Sequence, residues 1–300
     1  MSPVDPQLRR VPSNGIVLAV HDWGGDGRPV LLVHGNSFLG RLWDVTARAL
    51  LPDYRPYALD LRGHGDSDVP GTGYSRFDHA ADIAGVVEAL DLQRPCILAH
   101  SIGATSSLLA AGLSPTRFGP LVLIEPVIRP RHSPERWAPS GGATAMAEQA
   151  RRRRHHWPSR QAALDHYRTK PAFSSWQPEV LDLYVKHGFR DAPDGGIELK
   201  CPGWVEAQGY EVSPTTNPWP HLETVRNPVL LVRAGTSRLF SEAIANDLAA
   251  TLPNARVLSI ADRSHALPME DPQLVARLAR SFFDEVAGRS GTSGQSVLAE

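Results

Sequence analysis

Three side chains in this sequence of 300 residues have the types to act together on a carbonyl group: Ser101 in "AHSIG", Glu125 in "VLIEPV" and His265 in "RSHAL". A serine hydroxyl is a poor nucleophile near neutral pH. It becomes a good one when an imidazole within hydrogen-bond reach takes its proton and a carboxylate fixes that imidazole's tautomer. Each residue also has a plainer reading. Ser101 would cap the helix it opens, His265 would be a hydrogen-bonded loop histidine, and Glu125 would be a buried structural acid paired with Arg238.

Whether the three meet depends on the elements that carry them. The runs at 15–24, 28–35 and 54–63 read as strands closing on glycine or polar turns. Between the last two, Leu39, Leu42, Trp43, Ala47 and Leu50 recur at helical spacing. Next come a helix in "FDHAADIAGVVEAL", a strand in "PCILAHS", a helix in "IGATSSLLAAGL" and a strand in "GPLVLIEPV". The alternation stops near residue 126. It resumes near 227 with the strand "NPVLLVRAG", the helix "SEAIANDLAATL", the strand "ARVLSIAD" and the helix "PQLVARLARSFFDEVAG". Strand runs that are apolar throughout and separated by helices predict a doubly wound α/β fold, a parallel sheet covered on both faces. The reactive crevice of such a sheet lies at the carboxyl ends of its strands, and "HGNS", "AHSIG", "EPV" and "RSHAL" all fall there. Residues 126–225, rich in aromatics and proline and without a clear strand, read as a mostly helical insertion. The Gly- and Ser-rich end, 289–300, reads as a disordered tail.

Composition narrows the partners. Lys plus Arg is 31 against 32 for Asp plus Glu, so no global field draws the chain to nucleic acid or to an anionic membrane, and a small, roughly neutral partner, a small-molecule substrate, is favoured. No window approaches the roughly 18 apolar residues of a membrane span, and the start "MSPVDPQLRR" has no apolar signal region. Cys96 and Cys201 make neither a disulfide framework nor a metal ligand set. The expectation is a cytoplasmic protein using no cofactor and no metal.

On these motifs the chain resembles the α/β-hydrolase fold superfamily in its capped serine-hydrolase form, over roughly residues 10–288. Ser101, Glu125, His265 is that fold's chain order of nucleophile, acid and base. "HGNS" resembles the family's oxyanion loop, "DLRGHGDSD" at 60–68 its post-strand turn, and "AHSIG" its nucleophile elbow, with Ala99 where glycine is usual. The resemblance implies a mostly parallel eight-stranded sheet built from 1–125 and 226–288, under a helical cap formed by 126–225. It implies an oxyanion hole made by the backbone N–H groups of Ile102 and Asn36. It gives His34 a part in shaping that loop, His100 a packing place behind the elbow, and Asp60 a structural role bonded to its own "RGHG" turn.

The acid departs from the usual pattern. Most of the family carries it after the next strand, where this chain reads "RAGTSRLFS" and has Arg238 in the acid's place. An arginine cannot orient an imidazole as a carboxylate does. Certain haloalkane dehalogenases and the zearalenone lactonases carry the acid on the preceding strand, and Glu125, 24 residues after Ser101, sits there; Asp262 and Glu242 are the weaker candidates. Serine at 101 argues against haloalkane dehalogenase and most epoxide hydrolase chemistry, which need a carboxylate nucleophile. The expected activity is hydrolysis of a moderately apolar carboxylic ester or lactone through an acyl-enzyme. The alternatives are carbon–carbon bond hydrolysis of a β-diketone-like substrate, or non-catalytic ligand binding on a hydrolase scaffold.

The insertion holds the run "QARRRRHHWPSR" at 149–160. Successive arginines on a helix point in different directions, which predicts a solvated helix or a local salt-bridge set, and the adjacent His155 and His156 lack the spacing of a helical metal pair. Trp137, Trp157, Phe173, Trp176, Tyr184, Trp204 and Tyr210 are candidates to line an apolar pocket beneath the cap, the plainer reading being that most aromatics at such density simply pack it.

Overall fold

The computed structural model describes residues 5–131, 141–212 and 217–288, with the backbone alone for 141–144 and 212. The tail at 289–300 lies outside the described residues, and so does Trp137. Strands β1 (Gln7–Ser13), β2 (Ile16–Asp22), β3 (Arg28–Val33), β4 (Tyr54–Asp60), β5 (Cys96–His100) and β6 (Leu121–Ile124) precede the insertion. The insertion carries β7 (His156–Trp157), β8 (Phe189–Asp191) and β9 (Ile197–Leu199), and β10 (Val229–Ala234) and β11 (Ala255–Ile260) follow it. Eight of these form one sheet in the order β1-β2-β4-β3-β5-β6-β10-β11. It is parallel from β4 to β11, with β1 and β2 antiparallel at one edge.

The central strands are apolar on both faces because helices cover both. β5 is buried along its whole length. Its Ile97 and Ala99 pack into one hydrophobic cluster, and Cys96 and Leu98 into another on the opposite face. Burial of one such aliphatic side chain contributes about 1.5–3 kcal/mol.

Two parts of the architecture differ from the sequence expectation. β1 has no apolar periodicity, and its pairing with β2 comes from the turn at Asn14 and Gly15, both with positive φ (48° and 78°), the conformation that two-residue hairpins select. The insertion is not purely helical. Alongside helices such as Arg160–Arg168, Pro178–His187 and Gly203–Val212 it holds a three-stranded antiparallel sheet, β7-β9-β8. Those strands span only two or three residues each, too short for a periodic signal.

Trp157, Tyr167, Trp176, Tyr184 and Phe189 form the insertion's own core and pack against Leu39, Leu42, Val45 and Met269 of the main body. Among the described residues no helix is long and apolar enough to cross a membrane.

Candidate active site

The sheet's register brings the first two chemical groups together. His100 pairs with Ile124 across the parallel β5–β6 ladder, so the next residues, Ser101 and Glu125, leave the sheet side by side at its carboxyl edge. The Ser101 N–H donates to the Ile124 carbonyl at 3.0 Å and the Glu125 N–H to the Val232 carbonyl at 2.9 Å, which extends the ladder by one step on each strand. Both residues turn through positive φ, 56° for Ser101 and 51° for Glu125. For a non-glycine residue such backbone costs about 1–3 kcal/mol. At the elbow it throws the hydroxyl clear of the helix Ile102–Leu113, and Ser101 makes no capping hydrogen bond to that helix.

The hydroxyl faces the imidazole. His265 lies in the turn that follows β11, with its Nε2 3.0 Å from Ser101 Oγ and its Nδ1 3.1 Å from Glu125 Oε2. Glu125 is fully buried (0 % exposed), and its Oε1 accepts from the Ala234 N–H at 2.7 Å. With the carboxylate accepting on both oxygens, the imidazole proton sits on Nδ1 and the Nε2 lone pair faces the serine. The other carboxylates considered, Asp262 and Glu242, are exposed on the surface. Arg238 is also exposed and makes no pair with Glu125; it lines the mouth of the cavity.

Supporting groups fix this geometry from behind. His100 is buried, and its Nε2 donates to the His265 carbonyl at 2.8 Å, so it holds the loop that presents the imidazole as well as packing behind the elbow. Burial, together with the nearby His265, pushes the His100 pKa well below its ordinary value, which leaves the ring uncharged. His34 donates from Nδ1 to the Gly35 carbonyl (2.7 Å) and accepts the Leu61 N–H (3.0 Å); burial drives its pKa down to about 3. Asp60 bonds its own turn through the Asp66 N–H (2.8 Å), and it also holds the Gly40 N–H (2.6 Å) and His21 (3.1 Å). Burial alone would raise the Asp60 pKa, but His21 and the hydrogen bonds hold it at about 2. His21, Asp60 and Asp66 form the one group among the described residues close enough to hold a metal, and Asp60's oxygens in that group already accept hydrogen bonds.

The residues at the expected oxyanion positions lie next to Ser101. Ile102 opens its helix, where the first N–H groups have no intrahelical acceptor. Asn36 follows β3, and both Asn36 and Ile102 line the same cavity as Ser101 and His265. Gly103 permits this close approach of helix and strand: a Cβ there would sit 2.4 Å from the His34 carbonyl oxygen. The buried Ala99 is accommodated where glycine is usual. From above, the Gly203–Val212 helix presses on the loop that follows β3, and Asn36 Nδ2 donates to the Glu206 carbonyl at 3.0 Å.

The cavity measures about 610 Å³, with Val127, Ile128, Met146 and Ile244 among its apolar lining. Few of the insertion's aromatics line it, and Phe38 of the main body does. Tyr210 reaches it, Phe173 and Trp176 line an adjoining recess, Trp157 and Tyr184 are spent in the insertion's core, and Trp204 is 40 % exposed. The arginine run is a local salt-bridge set: Arg151 with Glu211, Arg152 with Glu148, and Arg153 with Glu206 at 2.8 Å, while Arg154 lies over the Trp157 ring. His155 and His156 pair with Glu198 and Asp194. Arg76, a buried lining residue, carried no sequence signal, because it only opens the helix Arg76–Ala89 behind a Ser75–Asp78 capping box.

The sequence profile of the alpha/beta hydrolase fold matches residues 28–272. The chain belongs to that family. It is 26% identical over 278 residues to 2-(acetamidomethylene)succinate hydrolase of Mesorhizobium japonicum, covering 92% of this chain and 95% of the relative. It is also 26% identical over 287 residues to an esterase of Mycobacterium tuberculosis, covering 93% and 90%. The crystal structure of E-2-(acetamidomethylene)succinate hydrolase superposes with a TM-score of 0.81 at 24% identity over 93% of this chain and 99% of that one, a likeness of fold. Within the alpha/beta hydrolase fold the insertion occupies the place of a cap, between β6 and β10.

Proposed function

We propose that the chain is a serine hydrolase that cleaves a moderately apolar carboxylic ester or lactone through an acyl-enzyme, in the cavity between the sheet edge and the insertion. The observation that carries this reading is the unbroken line from Glu125 Oε2 to His265 Nδ1 (3.1 Å) and from His265 Nε2 to Ser101 Oγ (3.0 Å), at a strained elbow that opens into the cavity.

His265 Nε2 takes the Ser101 proton as Oγ attacks the carbonyl carbon. The backbone N–H groups of Ile102 and Asn36 donate to the oxyanion that forms, and removal of one such donor typically costs about 10²–10³-fold in kcat. Collapse of the intermediate breaks the C–O bond. The departing alkoxide takes the proton from His265, and in a lactone it stays tethered to the acyl group. Water, giving its proton to His265, then attacks the acyl-enzyme and frees the acid and Ser101.

One relative is named as a hydrolase of a substituted succinate and another as an esterase, so family membership supports hydrolysis and leaves the bond to be identified. The deciding experiment is labelling with a fluorophosphonate. The expected result is modification of Ser101 in the native protein, with loss of both labelling and p-nitrophenyl ester hydrolysis in Ser101→Ala. An alanine variant that hydrolyses these esters at the native rate would remove Ser101 from the mechanism.

A further inference from the structure

Among the described residues the buried arginines are Arg41, Arg62 and Arg76, and only Arg76 lacks an acid. Arg62 forms two hydrogen bonds of 2.6 Å with Asp82, Arg41 forms two of 2.8 Å with Asp44, and Arg153 meets Glu206 at 2.8 Å. Arg76 is 3 % exposed, and among the described residues its Nε and Nη1 have no hydrogen-bond partner. Its Nη2 reaches the Gly209 carbonyl of the overlying helix at a long 3.4 Å. His79, one turn along the same helix, is buried with both ring nitrogens unpaired, and it offers no negative charge. Burial lowers the Arg76 pKa to about 10, which still leaves the guanidinium charged at neutral pH. The side chain also lines the cavity that holds Ser101 and His265.

A charge in this position has lost its water without gaining a counter-ion, a costly arrangement unless a ligand supplies the missing partner. We propose that Arg76 is the recognition site for a carboxylate on the substrate, so that the ester or lactone cleaved at Ser101 carries an acidic group. This rests on the serine-hydrolase reading above and narrows its substrate class. A guanidinium presents planar two-donor edges, Nη2 with Nε or Nη2 with Nη1, and with Nη2 held only by the long Gly209 contact such an edge matches the two oxygens of a carboxylate. The arginine run is not the anion site, since its members are already paired or stacked.

The test compares p-nitrophenyl half-esters of succinate, glutarate and adipate with neutral esters of matched length ending in an isopropyl group. The wild-type protein should prefer the acidic member of at least one pair in kcat/KM, and Arg76→Met should lower that ratio by about tenfold or more. Arg76→Lys, which keeps the charge and loses the fork, should fall between the two. In parallel, calorimetry of the Ser101→Ala variant should detect glutarate or adipate binding that the added Arg76→Met substitution removes. A wild-type preference for the neutral ester in every pair overturns the inference whether or not the Arg76 variants fold. So does a ratio unchanged by Arg76→Met, or inorganic phosphate binding as tightly through Arg76 as the dicarboxylates. Each of those outcomes leaves the esterase reading standing. Absence of Ser101 labelling sinks that reading, and the calorimetry then still decides whether Arg76 holds a carboxylate.

Discussion

Glu125→Gln separates orientation of the imidazole from every other property of the site. The glutamate accepts on both oxygens, from Ala234 N–H at 2.7 Å and from His265 Nδ1 at 3.1 Å, in a fully buried position. A glutamine has one acceptor and one donor end. If its oxygen keeps the Ala234 N–H, its NH2 faces His265 Nδ1, which must then be unprotonated, so the ring proton moves to Nε2 and points at Ser101. If the amide flips, its NH2 faces the Ala234 N–H and two buried donors oppose each other, at a cost of about 1–3 kcal/mol. That cost biases the site toward the wrong tautomer by a factor of about 5 to 150. The tautomer bias alone lowers kcat by about 5- to 150-fold, and loss of the carboxylate charge that stabilises the imidazolium adds to it, so the expected loss lies above about 10²-fold and approaches the roughly 10⁴-fold of the corresponding change in the serine protease triad. The assay is p-nitrophenyl butyrate hydrolysis near neutral pH, with circular dichroism and a thermal melt to show that the variant is folded. A folded Glu125→Gln protein retaining more than about a tenth of the native kcat would refute the argument, and Asp262 and Glu242 would become the candidates.

Three further outcomes follow from features already described. Ser101→Gly relieves the positive φ that Ser101→Ala retains, so the glycine variant should melt at least about 2 °C above the alanine variant despite glycine's larger unfolded-state entropy; an alanine variant that melts as high or higher would show an unstrained elbow. Burial leaves His34, His64, His79 and His100 uncharged in the folded chain, with pKa values below the ordinary 6.5, while the unfolded chain protonates them there. The unfolded state thus binds more protons below that pH, and stability drops on acidification by up to about 1.4 kcal/mol per pH unit for each group, down to about pH 3 for His34; a melting temperature constant from pH 7.5 to 5 would contradict this. Neutral esters should gain in kcat/KM from acetyl toward hexanoyl by up to about fourfold per methylene, because Val127, Ile128 and Ile244 line the cavity; a profile peaking at acetyl would argue against an apolar acyl site.

The central strands were legible because two covered faces make each strand a continuous apolar run, and the chemistry was legible because strand ends precede it. "CILAHS" and "LVLIE" carry both signals at once. β1 was missed through its polar face, although the Asn14–Gly15 dipeptide beside it is a strong hairpin mark. The insertion's small sheet was not legible, since strands of two or three residues are held by tertiary packing rather than by any pattern of their own. The aromatics were visible, yet composition does not say which face of a helix meets a cavity and which meets a core: Trp157 and Tyr184 went to the core, Tyr210 to the cavity. Arg76 and the hydrogen bond from His100 to the His265 carbonyl depend on contacts far apart in the chain, which a single sequence does not display.

Glu125 hangs from the end of β6 while one of its oxygens is pinned by a main-chain amide of β10. The carboxylate thus occupies the seam between two neighbouring strand tips, and a side chain rooted at either tip could deliver an acid to nearly the same point in space. For this fold the acid's position is better specified by a place on the sheet rim than by a place along the chain. A motif that counts residues forward from β10 meets Arg238 here and would dismiss a site whose negative charge arrives from the strand next door.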